Sequence, residues 1–204
     1  MVRCPARNSL TCSHITHAAF TFITAPCFAN FYHQQLLAID WARSPAAAEL
    51  PINATAGVGV AGHSMGGQSS VFAAAYNASA HNIKAAAMHH AFTHTFPPVQ
   101  VPHLVFTGTE DTTAPPKMAE KIFNTAGAFH TRALVNKVGA THSEPDRLAY
   151  NPKLALYTVA WFKLYIDGTP QWRGTDFDSM IHGNNSDSLC GGGDGAMEEC
   201  SVLR

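Results

Sequence analysis

Residues 62–67 place a serine where it could act as a nucleophile. Ser64 lies in the sequence GHSMGG, directly after a short apolar run and before an alanine-rich stretch. A strand, a sharp turn and a helix in this order form a nucleophile elbow, which lifts the serine hydroxyl clear of the sheet. We expect the tight turn to require glycine two residues before and after the serine, at Gly62 and Gly66. The backbone N–H of Met65, at the positive end of the following helix, is expected to stabilise negative charge.

A serine hydroxyl is a poor nucleophile at neutral pH and needs a base within hydrogen-bonding reach. The chain has 12 histidines, so position must decide among them. His142 lies in the loop after the run ALVNKV, and Asp111 lies in the loop after VPHLVFT. Loops at the ends of later strands supply the acid and then the base in this chain order. The sequence therefore predicts Ser64 as nucleophile, Asp111 as acid and His142 as base.

Other polar residues compete for these roles. Glu110 is adjacent to Asp111 and is an alternative acid. His89, His90 and His94 follow an earlier strand, too early in the chain for the base, and could line a pocket or suggest a metal site. These histidines have no carboxylate or thiolate beside them in the sequence, so we predict neither a metal site nor a cofactor.

The composition restricts the class of protein. Hydrophobic residues make up 46% of the 204 residues and charged residues 13%, which suits a single packed domain. The formal net charge is −1 and no two Lys or Arg residues are adjacent. A nucleic acid or an anionic membrane surface is therefore not expected as a partner. No apolar run is long enough to predict a transmembrane helix.

Short apolar runs alternate with helical patterns along the middle of the chain. Predicted strands occupy residues 57–61, 83–88, 101–107 and 133–138, and predicted helices occupy 34–43, 65–76, 116–126 and 153–166. This alternation predicts an α/β fold with a mostly parallel sheet covered by helices on both faces. We expect an N-terminal segment over 1–29, a core over 30–170 and an irregular tail over 171–204.

The two ends of the chain bear on localisation. Arg3 and Arg7 precede an apolar run over 18–29, which is either a signal peptide or a buried strand leading into the first helix. In the glycine-rich tail, Cys190 and Cys200 are either bridged or two free thiols, and a bridge would hold a loop that little else stabilises. Glycosylation sequons begin at three positions, which fits secretion: Asn53, Asn77 and Asn184.

The motifs GHSMGG, GTEDTTAP and GATHS together resemble the bacterial cutinase and polyester-hydrolase branch of the α/β-hydrolases, which is related to dienelactone hydrolases and chlorophyllase-like proteins. The similarity runs over about 58–167 and implies an α/β-hydrolase fold. It also implies the following roles: Ser64, Asp111 and His142 as the triad, Met65 as an oxyanion donor, Phe92 near the position of a tryptophan that lines the acyl pocket in the family, Ser143 beside the cleft, and Cys190–Cys200 as a C-terminal disulfide. His63, next to the nucleophile in the sequence, is expected to pack under the elbow and to contribute to the substrate site.

The beginning of the chain departs from this family pattern. Members place several strands before the elbow, and a loop among them supplies a second oxyanion N–H, but only 63 residues precede Ser64 here. We therefore expect either a truncated form that lacks several N-terminal strands and the second donor, or a second donor supplied by an unusual N-terminus. Loss of one such donor costs on the order of 10²–10³ in rate. The chain is expected to be a monomer or, through an open sheet edge, a dimer.

The resemblance implies hydrolysis of carboxylic esters through an acyl-serine intermediate, while the cysteine pair, the sequons and the N-terminal run favour secretion. Cutin, polyesters, short acyl esters and pigment esters all remain open as substrates. The alternative is a truncated homologue of weak or absent activity that acts by binding. Acyl transfer to another acceptor and peptide cleavage are further alternatives, because they use the same triad.

Overall fold

The computed structural model describes residues 31–125, 131–145, 152–191 and 197–204, and two short strands at 2–3 and 11–12. The helices are α1 (Phe31–Ala42), α2 (Met65–Tyr76), α3 (Pro116–Thr125), α4 (Pro152–Tyr165) and α5 (Phe177–His182), with one 3₁₀ turn at Pro45–Ala47. The strands are β1 (Val2–Arg3), β2 (Thr11–Cys12), β3 (Val58–His63), β4 (Ile83–His89), β5 (His103–Gly108), β6 (Arg132–Lys137), β7 (Gln171–Trp172), β8 (Thr175–Asp176) and β9 (Met197–Leu203).

Five of these strands form the main sheet, in the order β3-β4-β5-β6-β9. The first four are parallel, and β9 is antiparallel to β6. Because the carboxyl ends of parallel strands meet at one edge of a sheet, the loops after β3, β4, β5 and β6 come together there. These loops carry Ser64, His90, Asp111 and His142.

Both faces of the sheet are covered, which explains why its strands read as short continuous apolar runs. On one face, Val60, Met88 and Val105 pack in a cluster with residues of α1, α2 and α3. On the other face, Leu104 and Val135 pack with α4 and α5, including the fully buried Trp161. The predicted mostly parallel sheet flanked by helices is confirmed.

The tail after residue 170 differs from the prediction, because part of it is regular. It forms a β7–β8 hairpin, the helix α5 and the strand β9, which pairs with β6 from Arg132 to Lys137. Strand β9 has two exposed glutamates and little apolar periodicity, so its sequence MEECSVL gives a weak strand signal. Its place comes from hydrogen bonding to β6 and from the Cys190–Cys200 disulfide, which is present as expected.

Strand β3, which leads to the elbow, lies at the outer edge of the main sheet among the described residues. Side chains from α1 and the turn after it satisfy backbone carbonyls near this edge. Gln35 Nε2 donates to the carbonyl of Ala61, and Arg43 donates to the carbonyl of Ala56. A dimer formed through this edge stays a prediction.

Two expectations about the chain ends and the membrane complete the description. Segment 1–29, where a signal peptide or a further strand was predicted, lies outside the described residues apart from β1 and β2. None of the helices in the described part of the chain is both long and apolar enough to cross a membrane.

Candidate active site

The turn between β3 and α2 holds Ser64 in a conformation that side-chain-bearing residues rarely adopt. Its φ is 57° and its ψ is −121°. Two backbone hydrogen bonds fix the turn, since Ser64 N–H donates to the carbonyl of His89 and Phe92 N–H donates to the carbonyl of Ser64. Such strained backbone costs about 1–3 kcal/mol and persists only where the surroundings impose it. The elbow predicted from the sequence is therefore present in the structure.

The glycines around the elbow do not all play the expected part. A Cβ at Gly62 would lie 2.1 Å from the carbonyl oxygen of Gly66, so glycine is required before the serine. A Cβ at Gly66 would meet nothing within 4 Å, so the predicted steric need for glycine there is wrong. The crowded position is Gly67, where a Cβ would approach the Cβ of Ala91 to 2.6 Å. The carbonyl group of Gly66 is therefore what crowds Gly62, whereas a side chain added at the α-carbon of Gly66 would point into open space.

We expect Gly67→Ala and Gly66→Ala to have opposite effects on stability. Overpacking against Ala91 should lower the free energy of unfolding of Gly67→Ala by about 1–3 kcal/mol. Alanine is favoured over glycine inside a helix by about 0.5–1 kcal/mol, so Gly66→Ala should be at least as stable as the wild type. Urea denaturation of both variants measures the difference, and equal midpoints would contradict the assignment of the crowded position.

The three residues predicted to form a triad are hydrogen-bonded in series. Nε2 of His142 lies 2.9 Å from Oγ of Ser64. Nδ1 of His142 lies 2.9 Å from Oδ2 and 3.1 Å from Oδ1 of Asp111. The tautomer with hydrogen on Nδ1 donates to the carboxylate and leaves Nε2 free to accept the serine proton, which is the arrangement that general-base catalysis requires.

Asp111 is almost completely buried, and four donors surround its carboxylate. Oδ1 accepts from the backbone N–H groups of Thr113 and Ala114, and both His142 and His90 lie within hydrogen-bonding distance of Oδ2. Burial alone would raise the pKa of Asp111, but the hydrogen bonds from Ala114, His142 and His90 outweigh it and hold that pKa below its ordinary value. The carboxyl group is therefore ionised at neutral pH.

The other candidate acid is excluded by its position. Glu110 is exposed, and its backbone N–H donates to the carbonyl of Ala140. Asp111, the next residue, points into the protein and contacts His142. The geometry therefore supports Asp111 over Glu110.

A comparison with known protein families agrees with this geometry. The profile of the PET hydrolase-like family matches residues 25–201, which is most of the chain. The chain belongs to the PET hydrolase-like family. Members of this family are α/β-hydrolases that act on carboxylic esters, and the resemblance to cutinases and polyester hydrolases drawn from the sequence is confirmed.

One further histidine supports the base in this PET hydrolase-like site. His63 is the last residue of β3. Its Nε2 lies 2.7 Å from the backbone carbonyl of His142, and the centroids of the two imidazole rings are 4.7 Å apart. With hydrogen on Nε2, His63 donates to that carbonyl and holds the loop of the base against the elbow. The predicted place of His63 under the elbow thus becomes a contact with the base loop, and a contact with substrate stays a prediction.

A cluster of acidic and basic side chains behind the triad was not predicted from the sequence. His90 is fully buried, with Nδ1 lying 2.8 Å from Asp111 and Nε2 lying 3.1 Å from Oε2 of Glu144. Glu144 also pairs with Nζ of Lys137 at 3.1 Å. The available signal was position, because His90 directly follows β4 and Glu144 follows the base by two residues.

Three of these residues could in principle hold a metal ion. Ligand atoms of His90, Asp111 and His142 all lie within 4.8 Å of one another. The hydrogen bonds from both rings to the carboxylate account for this clustering without an ion. His89 stacks on Phe106 and is not part of this group of possible ligands among the described residues. Burial and then the nearby His90 and His63 lower the pKa of His89 to about 3, so its ring is neutral. The absence of a metal site stays a prediction.

The surface beside Ser64 is open in the described residues. Met65 is 41% exposed, and its backbone N–H is the candidate oxyanion donor at the start of α2. Phe92 and Ser143 are half-buried near the elbow and the base, and Phe92 packs edge-on against His94. A separate groove of about 220 Å³ along β3 is lined by α1 and by Phe162 and does not include the triad. Substrate contacts of Phe92 and Ser143 stay predictions.

Proposed function

We propose that the chain is a secreted ester hydrolase that works through an acyl-serine intermediate. The observation that carries this proposal is the continuous hydrogen-bonded series from Ser64 through His142 to Asp111. Membership of an ester-hydrolase family supports the reaction class. No cofactor is needed, because the residues themselves supply a nucleophile, a base and a charge that orients the base.

In the first half of the reaction, Oγ of Ser64 attacks the ester carbonyl carbon while its proton passes to Nε2 of His142. The tetrahedral intermediate then collapses, the bond from carbon to the alcohol oxygen breaks, and His142 returns the proton to the departing alcohol. Asp111 stabilises the imidazolium while it exists and keeps the ring in the productive tautomer.

In the second half, water replaces the alcohol. His142 takes a proton from the water as it attacks the acyl carbon, and returns that proton to Oγ of Ser64 when the acid leaves. In both halves the negative oxygen forms beside the N-terminus of α2, where the Met65 N–H and the positive end of the helix stabilise it.

The open surface around Ser64 suits a substrate that lies across the protein and is not enclosed by it. Exposed Met65 and half-buried Phe92 offer apolar contact on either side of the nucleophile. Polymeric esters such as cutin or polyesters fit such a surface, as do small acyl esters. The family assignment favours the polymers.

Secretion is supported by two features. The Cys190–Cys200 disulfide requires an oxidising environment to persist. Two of the glycosylation sequons have an exposed asparagine, Asn53 and Asn184, and in the first the Asn53 side chain accepts hydrogen bonds from Thr55. Both features support a location outside the cytosol.

A fluorophosphonate probe tests whether Ser64 is activated. We expect the 204-residue chain to gain one probe adduct, located on Ser64 by peptide mass spectrometry, because only a serine with a base in reach reacts quickly. Ser64→Ala should gain none, and Ser186→Ala, which removes an exposed serine in the tail, should label like the wild type. A folded wild-type protein that does not react would favour the catalytically inactive binding homologue.

A further inference from the structure

His90 lies between two carboxylates and is closed off from solvent. Its Nδ1 is 2.8 Å from Oδ2 of Asp111, and its Nε2 is 3.1 Å from Oε2 of Glu144. Carboxylates only accept hydrogen bonds, so both contacts are satisfied when both ring nitrogens carry hydrogen or when one carboxyl group is protonated. In either state Asp111, His90 and Glu144 form one continuous hydrogen-bonded series.

Four polar side chains contact one another in series along this cluster. Lys137 pairs with Glu144, Glu144 meets one side of His90, and the other side of His90 meets Asp111. An ionised carboxylate away from water is costly unless it is paired and hydrogen-bonded. The cluster therefore gives the buried charge of Asp111 a partner that does not depend on the protonation of His142.

The two imidazoles share one carboxylate oxygen. His90 and His142 approach Oδ2 of Asp111 from different sides, and their ring centroids are 6.2 Å apart at an interplanar angle of 88°. Each hydrogen bond that Oδ2 accepts draws electron density from the carboxylate. Donation by His90 must therefore weaken the attraction of Asp111 for a proton on His142, while it fixes the direction in which the carboxylate points.

The backbone of His90 has a strained conformation, which costs free energy of folding. Its φ is 48°, in the left-handed region where glycine and asparagine are favoured over other residues. Its N–H donates to the carbonyl of Phe106, which continues the strand pairing beyond β4. A histidine at a position that glycine would fill with less strain points to a use for the imidazole.

We propose that His90 is a positioning residue for the proposed reaction: it orients the Asp111 carboxylate and lowers the basicity of His142, while the negative charge of Glu144 on its other side opposes this lowering. The inference rests on the proposed function for its effect on rate, but its effect on the His142 ring exists without turnover. Other titratable or charged groups face the cluster from the neighbouring elements: His63 at the end of β3, His89 on β4 and Lys137 at the end of β6.

The test follows the ring of His142 directly, by ¹⁵N NMR of the histidine-labelled 204-residue chain across pH. In His90→Asn the left-handed backbone is kept, because asparagine tolerates it, but the bridge between the carboxylates is lost. We expect the titration midpoint of His142 to rise by about 0.5 pH unit or more, since an imidazole donor is removed from Asp111. A midpoint that moves by less than about 0.2 unit would overturn the inference, because that is small beside the usual effect of a neighbouring charge.

A second variant covers the case in which His90→Asn fails to fold. Glu144→Gln leaves residue 90 and its backbone untouched and removes only the negative charge behind it, so the His142 midpoint should fall. A rise or no change would count against the inference. His33→Asn, which removes an exposed histidine on α1, is the matched control and should leave the midpoint at the wild-type value.

Kinetics separate this inference from the proposed function. We expect His90→Asn to lower kcat for p-nitrophenyl butyrate about tenfold with little change in KM, and to move the acid limb of kcat/KM in the same direction as the NMR midpoint. If Ser64→Ala hydrolysed the ester as fast as the wild type, the proposed function would be contradicted. The NMR shift of His142 would still decide the role of His90. An unmoved acid limb in an otherwise Ser64-dependent enzyme would overturn the inference alone.

Discussion

Ser64→Ala is expected to lower kcat for p-nitrophenyl butyrate by about 10⁴-fold or more, to the residual rate that substrate binding and the oxyanion donor still support. The substitution removes only the oxygen that lies 2.9 Å from Nε2 of His142. It does not disturb the hydrogen bonds from His142 to Asp111, nor the backbone bonds of the elbow. Release of p-nitrophenolate at constant pH, followed by absorbance, measures the loss.

Stability must be measured on the same samples, so that unfolding is not mistaken for loss of chemistry. Alanine at position 64 keeps the strained φ of 57°, so the thermal midpoint should stay near that of the wild type. Ser186→Ala serves again as the matched serine control and should hydrolyse the ester at the wild-type rate. A Ser64→Ala enzyme as fast as the wild type would remove the hydroxyl from the mechanism.

Asp111→Asn is expected to lower kcat by about 10⁴-fold while the fold persists. The amide of asparagine can donate to Nδ1 of His142, which favours the tautomer with hydrogen on Nε2. That tautomer cannot accept the proton of Ser64, because its Nε2 lone pair is occupied. The pH profile of kcat for the variant, compared with that of the wild type, measures the effect.

Glu110→Gln is the matched control for this second variant. It makes the same chemical change one residue earlier, at an exposed side chain that does not contact the base. We expect its kcat to stay within about threefold of the wild type, as is usual for surface changes away from buried networks. If Glu110→Gln lost activity and Asp111→Asn kept it, the acid would be misassigned.

Much of the sheet could be predicted from the sequence, because β4, β5 and β6 are short, largely buried apolar runs and β3 lies beside glycines at both ends. Strand β4, for instance, reads as a short alanine-rich run and is almost wholly buried. The helix Met65–Tyr76 begins and ends as predicted, since the elbow fixes its start. Patterns of this kind are local, and local patterns are visible in a single chain.

The features that the sequence did not reveal depend on contacts between distant residues. His90 and Glu144 are 54 residues apart and meet only because β4 and β6 end at the same edge of the sheet. Strand β9 takes its place from β6 and from a disulfide, not from a hydrophobic period of its own. The crowding at Gly67 likewise comes from Ala91, which belongs to the loop after another strand.

Ser64 and His90 sit at the ends of adjacent strands, and both have backbones in the left-handed region. Each conformation works against folding, and each would be relaxed by glycine. At position 90 glycine would also leave two buried carboxylates without their partner, so the gain is open only at position 64. A descendant of this protein that no longer needed the reaction could therefore gain thermal resistance by replacing Ser64 with glycine, so selection for ester turnover and selection for heat tolerance act on that position in opposite directions.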